Sequence, residues 1–208
     1  MLNSKGFDLW ADNYDETVGI SDNDNTYPFA GYKKILNEIY NCVLESSSKN
    51  ILDIGFGTGT LTTKLYEQGC NIYGQDFSDK MVELAKNKMP NSQLFKGDFS
   101  KDLVKELKQQ KYDAIIATYS LHHLTDRDKI QFIKNLIGLL NENAVIYIGD
   151  VAFNTRRDLE KCKEQCKEQC GEHWDNEEIY FVYDEIKREF PNSEFIKYSE
   201  CAGIIKIW

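Results

Sequence analysis

Three groups of residues in this chain have the types and spacing to do chemistry. The first is the glycine run Gly55-Phe56-Gly57-Thr58-Gly59, with Asp53 two positions ahead. Glycine at alternate positions removes every Cβ that would hold a ligand off the backbone. A helix starting near Thr60 would add unpaired N–H groups behind the loop. That is the chemistry of ligand binding. The second group is a pair of carboxylates, Asp76 and Asp98, each closing a short apolar segment. A carboxylate at such a strand end can accept two hydrogen bonds from a diol. The third is the imidazole pair His122-His123, with Tyr119 just ahead and Asp150 at the end of a later strand. Imidazole titrates in the range that suits proton transfer. Adjacent residues rarely both face one pocket: either one ring caps or packs the following helix and the other points to solvent, or one of them lines an acceptor pocket, which is the expectation.

A fourth group is read as structural. Cys162, Cys166, Cys170 and His173 fall on one side of a helix. Zinc must be surrounded at roughly 2.0–2.3 Å, whereas successive turns of one straight helix point their ligands in parallel. Together with Leu159 the cysteines make an apolar stripe, and no metal site is expected.

These residues need elements to hold them. Ile51, Leu52 and Ile54 form a short buried strand ahead of the glycine loop. Further strands are expected at Asn71 to Asp76, Ser92 to Gly97, Tyr112 to Thr118 and Ala144 to Gly149. Helices are expected between them at Thr60 to Gln68, Ser78 to Lys88, Lys101 to Gln110 and from Thr125. Before the loop come a short aromatic helix around Trp10 and Tyr14 and a longer one over Phe29 to Glu45. After it come helices over Asn154 to Gly171 and Glu177 to Phe190, then a strand pair turning near Glu200-Cys201. Alternating strand–helix units of this length build a parallel sheet covered on both faces.

Bulk properties narrow the function classes. The chain has 208 residues, enough for one domain with a sizeable core, with 41% hydrophobic and 28% charged residues. The net charge of −9 disfavours a nucleic-acid partner, which would need a basic patch, and an anionic membrane surface. No apolar run approaches a membrane span, and the first ten residues lack a signal-peptide core. Six cysteines are then expected as thiols in a reducing cytoplasm.

The spacing of the glycines turns the reading away from a dinucleotide. A G-x-G-x-x-G fingerprint would need glycine at position 60, which is Thr. Asp53-Ile54-Gly55-Phe56-Gly57-Thr58-Gly59 instead resembles the first motif of class I S-adenosylmethionine (SAM) methyltransferases. Gly74-Gln75-Asp76, Lys96-Gly97-Asp98-Phe99 and Leu121-His122-His123-Leu124 continue the likeness. So does the opening Trp10-Ala11-x-x-Tyr14-Asp15. The Leu-His-His-Leu segment is similar to small-molecule methyltransferases of the ubiquinone/menaquinone-biosynthesis type. The Leu140-Asn141-Glu142-Asn143 turn departs from the family's usual Lys-Pro-Gly-Gly.

The resemblance implies SAM as cofactor and a small-molecule acceptor. It implies cofactor contacts from Asp53, Gly55, Gly57 and Gly59, from Asp76, Phe77 and Met81, and from Asp98, Phe99 and Thr118. Trp10 and Tyr14 would fold over the cofactor. His122, His123 and Tyr119 are the catalytic candidates. The implied fold is α/β: a three-layer, doubly wound, seven-stranded sheet in the order 3-2-1-4-5-7-6. It would be mostly parallel, with one antiparallel strand from a C-terminal hairpin. Residues 1–208 then form one methyltransferase domain. Its parts are an N-terminal helical cap (1–46), a cofactor-binding core (50–150), and a helical lid with the hairpin (151–208). Methyl transfer is a direct displacement in which positioning alone supplies about 7 kcal/mol or more in good intramolecular cases. Two rivals stay open at this stage: a SAM-binding partner or sensor without catalysis, and a nicotinamide-dependent oxidoreductase. The oligomeric state stays between monomer and homodimer.

Overall fold

The computed structural model of the chain describes residues 27–169 and 174–208. The expected first helix with Trp10 and Tyr14 lies outside the described residues, as do Cys170 and His173. The described chain begins with helix α1 (Tyr32–Glu45) and strand β1 (Asn50–Ile54). It continues through α2 (Thr60–Glu67), β2 (Asn71–Asp76), α3 (Asp79–Lys88), β3 (Gln93–Lys96), β4 (Tyr112–Thr118) and α4 (Asp126–Ile137). It ends with β5 (Leu140–Phe153), α5 (Arg156–Gln169), β6 (Phe181–Val182), α6 (Tyr183–Glu189), β7 (Ser193–Lys197) and β8 (Ala202–Ile207).

The sheet runs β3-β2-β1-β4-β5-β8-β7, with the two-residue β6 pairing to the end of β5. β8 is antiparallel to both its neighbours, while the other pairs are parallel. This is the expected seven-strand order with one short strand added. Alternate residues of each strand serve opposite faces. Ile51 and Ala114 pack with Ile35 and Ile39 of α1 and Leu65 of α2 on one face, and Leu52 and Ile115 pack with Ile133 and Leu136 of α4 on the other. Ile51, Leu52 and Ile54 are fully buried, each stabilising the fold by about 1.5–3 kcal/mol.

Helix starts follow the sequence signals. Ser78 Oγ accepts the Met81 N–H at 3.2 Å, and Thr125 Oγ1 accepts the Asp128 N–H at 3.2 Å, satisfying first-turn donors. Two expected helices are corrected. Lys101 to Gln110 holds only a single 3₁₀ turn, Leu107–Gln109. The buried Gln75 amide competes for its backbone, donating to Asp102 O at 2.9 Å and accepting from Val104 N–H at 2.7 Å. The expected helix over Glu177 to Phe190 starts only at Tyr183. Tyr180, Phe181 and Val182 are buried in succession, and Phe181–Val182 pairs with Ala152 and Phe153. A helix would turn part of that run to solvent; an extended strand between two layers does not. β5 is also longer than expected: β8 and β6 pair its extra residues from Asp150 to Phe153, and Tyr112 of β4 pairs Leu140 at its start.

Candidate active site

The carboxyl ends of β1, β2 and β4 open into one cleft. Its lining includes ten of the residues singled out above: Asp53, Gly55 and Gly57 from β1 and its loop; Asp76, Phe77 and Met81 from the end of β2 and α3; Phe99 after β3; and Thr118, Tyr119 and His123 from the end of β4. This is the position expected for a ligand in an open parallel sheet, where the strand order reverses between β1 and β4.

The glycine loop is fixed by steric need. Gly55 has φ +69°, and a Cβ there would stand 2.5 Å from Ser120 Cβ. Ser120 in turn donates its hydroxyl to Ile54 O at 2.7 Å, so β1 and the segment after β4 lock together. Gly57 has φ +55° with nothing within 4 Å of its missing Cβ; its bare side faces open space. Its N–H donates to Asp76 Oδ2 at 2.9 Å, and Ser78 N–H donates to Asp76 Oδ1 at 2.9 Å. Asp76 therefore ties the loop to the end of β2 while bordering the cleft. Gly59 is the N-cap of α2 and is not among the lining residues.

Asp53 is the most unusual group in the cleft. It is 2% exposed, and its Oδ1 has no partner among the described residues. Burial pushes its pKa up to about 8; the neighbouring Thr62 side chain opposes the rise and the nearby Asp76 charge adds to it. A buried carboxylate at a ligand cleft with one oxygen unsatisfied is a fit for a cation.

On the other side of the cleft, Leu121–His123 forms a 3₁₀ turn after β4. His122 is 6% exposed and His123 half-buried, their rings 4.3 Å apart edge to face. Of the two, His123 lines the cleft and His122 is packed behind it. His122 Nδ1 stands 2.7 Å from Asp150 Oδ1, and its Nε2 3.4 Å from Glu178 Oε1. Burial disfavours the His122 imidazolium, yet the Asp150 and Glu178 charges outweigh it and raise the pKa. His123 is pushed down to about 4, first by burial and then by the His122 charge. The two adjacent imidazoles are thus pushed in opposite directions, His122 toward its protonated form and His123 toward its neutral form. Tyr119 has φ +50° and packs against Phe29 and Tyr32, ring centroids 5.3 and 5.2 Å away.

Besides Gly59, two expected residues stand apart from the cleft wall. Asp98 is not among the lining residues. Its Oδ1 accepts from the Ser100 hydroxyl at 2.5 Å, and its Oδ2 lies 3.0 Å from Lys101 Nζ. His122 sits behind His123. Sequence reasoning missed Tyr32, Phe56, Thr58, Thr60, Leu61 and Ser120, which also line the cleft. Phe56, Thr58 and Thr60 lie within or beside the glycine loop, so their neighbourhood was a usable signal. It also missed Glu178, which arrives from the segment ahead of β6.

Comparison with known proteins agrees with this geometry. The methyltransferase-domain family matches residues 51–143. An uncharacterized methyltransferase of Anoxybacillus flavithermus is 39% identical over 72% of this chain and 68% of its own length. One from Geobacillus sp. is 34% identical over 91% of this chain and 87% of its own. Among solved structures, DhpI in complex with S-adenosylhomocysteine (SAH) superposes with a TM-score of 0.72 at 15% identity, covering 99% of this chain and 94% of that one. The magnesium protoporphyrin IX methyltransferase of Synechocystis with bound SAH gives 0.64 at 18% identity, covering 86% and 83%; these two likenesses concern the fold. The relatives are methyltransferases, which sets aside the nicotinamide oxidoreductase reading. The chain belongs to the class I SAM-dependent methyltransferases.

Proposed function

We propose that the cleft holds SAM along the β1–β2–β3 strand ends and presents it to a small-molecule acceptor beside β4 and β5. The observation that carries this reading is Asp53, a buried carboxylate with an unsatisfied oxygen at the base of the glycine loop. It suits an ammonium group. Asp76 stands next to the loop, held there by the Gly57 and Ser78 N–H groups, and borders the cleft; a carboxylate in that place suits the ribose diol. Phe77, Met81 and Phe99 supply apolar surface for a ring, while Gly55, Gly57 and Thr118 give close backbone approach. Asp98, already engaged by Ser100 and Lys101, keeps acceptor capacity for an adenine amino group at the β3 strand end. Bound there, SAM supplies an electrophilic methyl group on a sulfonium.

The chain's own contribution to transfer is positioning, exclusion of water and removal of a proton where the acceptor carries one. His123, neutral and on the cleft wall, is the base we assign. Tyr119 and Tyr32 give the acceptor an aromatic wall. Asp150 and His122 hold the 3₁₀ turn that carries His123. Residues 50–150 are then the cofactor half, and 151–208 close the acceptor side through Glu178 and the strand that follows. The acceptor fits a small molecule because the cleft is bounded by aromatic side chains and the chain's charge is −9, which disfavours nucleic acid.

Two experiments test this. Calorimetric titration with SAM and SAH should give one site per chain, and Asp76→Ala should weaken it at least about tenfold, the loss of one hydrogen bond to a charged group. Incubation with methyl-labelled SAM and fractionated cell metabolites should transfer label to a low-molecular-weight product. Absence of SAH binding, or label on protein or nucleic acid alone, would contradict the proposal.

A further inference from the structure

We propose that His122, His123 and Glu178 bind a divalent transition-metal ion of the zinc class at the edge of the cleft. One donor atom from each of the three lies within 4.8 Å of the others. Zinc bound at roughly 2.0–2.2 Å in a tetrahedron holds its ligand atoms about 3.3–3.6 Å apart. His122 Nε2 and Glu178 Oε1 already stand 3.4 Å apart. The remaining difference, about 1 Å, is within the reach of small side-chain rotations.

The surroundings support the three donors in the way metal sites require. His122 directs Nδ1 to the Asp150 carboxylate at 2.7 Å. That leaves Nε2 as the donor facing Glu178 and reproduces the carboxylate–histidine–metal arrangement. Asp150 is 1% exposed, its Oδ1 also accepts the Val151 N–H at 2.8 Å, and its Oδ2 has no partner among the described residues. Glu178 is steadied in turn: the Tyr180 hydroxyl donates to Glu178 Oε2 at 2.7 Å, and Tyr27 meets Tyr180. The segment carrying Glu178 is pinned by Ile179 N–H donating to His122 O at 2.9 Å, and by Lys129 Nζ donating to Ile179 O.

The donor set selects the metal. Two imidazoles and a carboxylate suit zinc and its neighbours, whereas magnesium and calcium take oxygen ligands. Three protein ligands leave a coordination position open, the composition of a catalytic rather than a structural zinc site. His123 lines the cleft, so the ion borders it. A neutral imidazole has a single lone pair, so an ion bound by His123 takes the place of its role as base, while SAM binding at the β1–β2–β3 strand ends depends on neither.

The test uses the full chain, stripped with chelator and then titrated with Zn²⁺ by calorimetry and with Co²⁺ by visible absorption. The expected result is one ion per chain, with cobalt d–d bands of low coordination number and no thiolate-to-cobalt charge transfer. His122→Gln, His123→Gln and Glu178→Gln should each weaken zinc at least about tenfold, and Asp150→Asn about ten- to a hundredfold. Near-UV circular dichroism of each variant checks the fold. Cys162→Ser with Cys166→Ser should leave the affinity unchanged. The proposal is overturned by no saturable zinc binding, by unchanged affinity in a folded Glu178→Gln chain, or by a thiolate band that vanishes in the cysteine variant.

Discussion

The two halves of the cleft are built by opposite means. The cofactor half is local. Asp53, Gly55 and Gly57 lie within five consecutive residues, and Asp76 reaches them across one parallel pairing in which Ile54 stands beside Gln75. Its geometry is set by backbone conformation and by the Asp76 carboxylate bonded to main-chain N–H groups. The acceptor half is assembled from afar. His122, Asp150 and Glu178 come from three separate segments and meet through side chains. One half is a rigid cradle that any acceptor chemistry can share; the other is a polar network whose charges depend on one another. The lesson is that cofactor identity and acceptor identity are separable properties of this fold, and variants should separate them.

The largest effect is expected at the point where the halves touch. Gly55→Ala must hold alanine at a left-handed φ and drive its Cβ into Ser120. It should cost about 2–4 kcal/mol in urea denaturation and abolish SAH binding. Next comes Asp150→Asn, which removes the charge behind His122. We expect turnover of the methyl acceptor to fall about a hundredfold or more, with SAH affinity within about twofold of the parent by calorimetry. A parallel loss of SAH affinity would erase the distinction between the halves. Smaller again is Thr118→Val on the shared wall, a loss of about 1 kcal/mol in SAH binding if its hydroxyl contacts the ligand. The smallest is Gln75→Leu, which strands the backbone groups of Asp102 and Val104. It should cost about 1–2 kcal/mol of stability and change neither half's function.

The same contrast explains what the sequence could reveal. The glycine loop was legible because its residue types are forced by local sterics within one turn of chain. The strand order beyond it came from the family likeness, with the apolar runs of β1 and β4 marking the buried centre. Asp150 was legible as the residue closing the apolar run of the fifth strand, and the structure sets its neighbour Gly149 beside Thr118 in parallel register. Its bond to His122 was not legible, because no short pattern records a contact between the end of β5 and the turn after β4. Glu178 was missed for a definite reason. The run Tyr180 to Val182 has apolar residues at helical spacing with its neighbours, so a helix was expected. Burial on both faces made it a strand and turned Glu178 toward the histidines. The missing helix near Lys101 has a similar cause: a buried Gln75 side chain, remote in sequence, took the backbone groups that a helix would use.

Asp53 offers the most direct test of the central claim that the cleft is made for the cationic end of SAM. Without ligand its pKa is raised to about 8 by burial, so the folded chain holds a proton that the unfolded chain gives up near pH 4. The sign follows: stability of the ligand-free protein declines as pH rises from about 4 and levels off above the folded value near 8, and a bound cation reverses this by favouring the carboxylate. Calorimetry of SAH binding at pH 7, repeated in buffers of different ionisation enthalpy, measures the linked proton. The account predicts release of up to about one proton per SAH bound, lost in Asp53→Asn together with at least about tenfold in affinity. Binding of SAH with no proton released, or with equal affinity in Asp53→Asn, would contradict it.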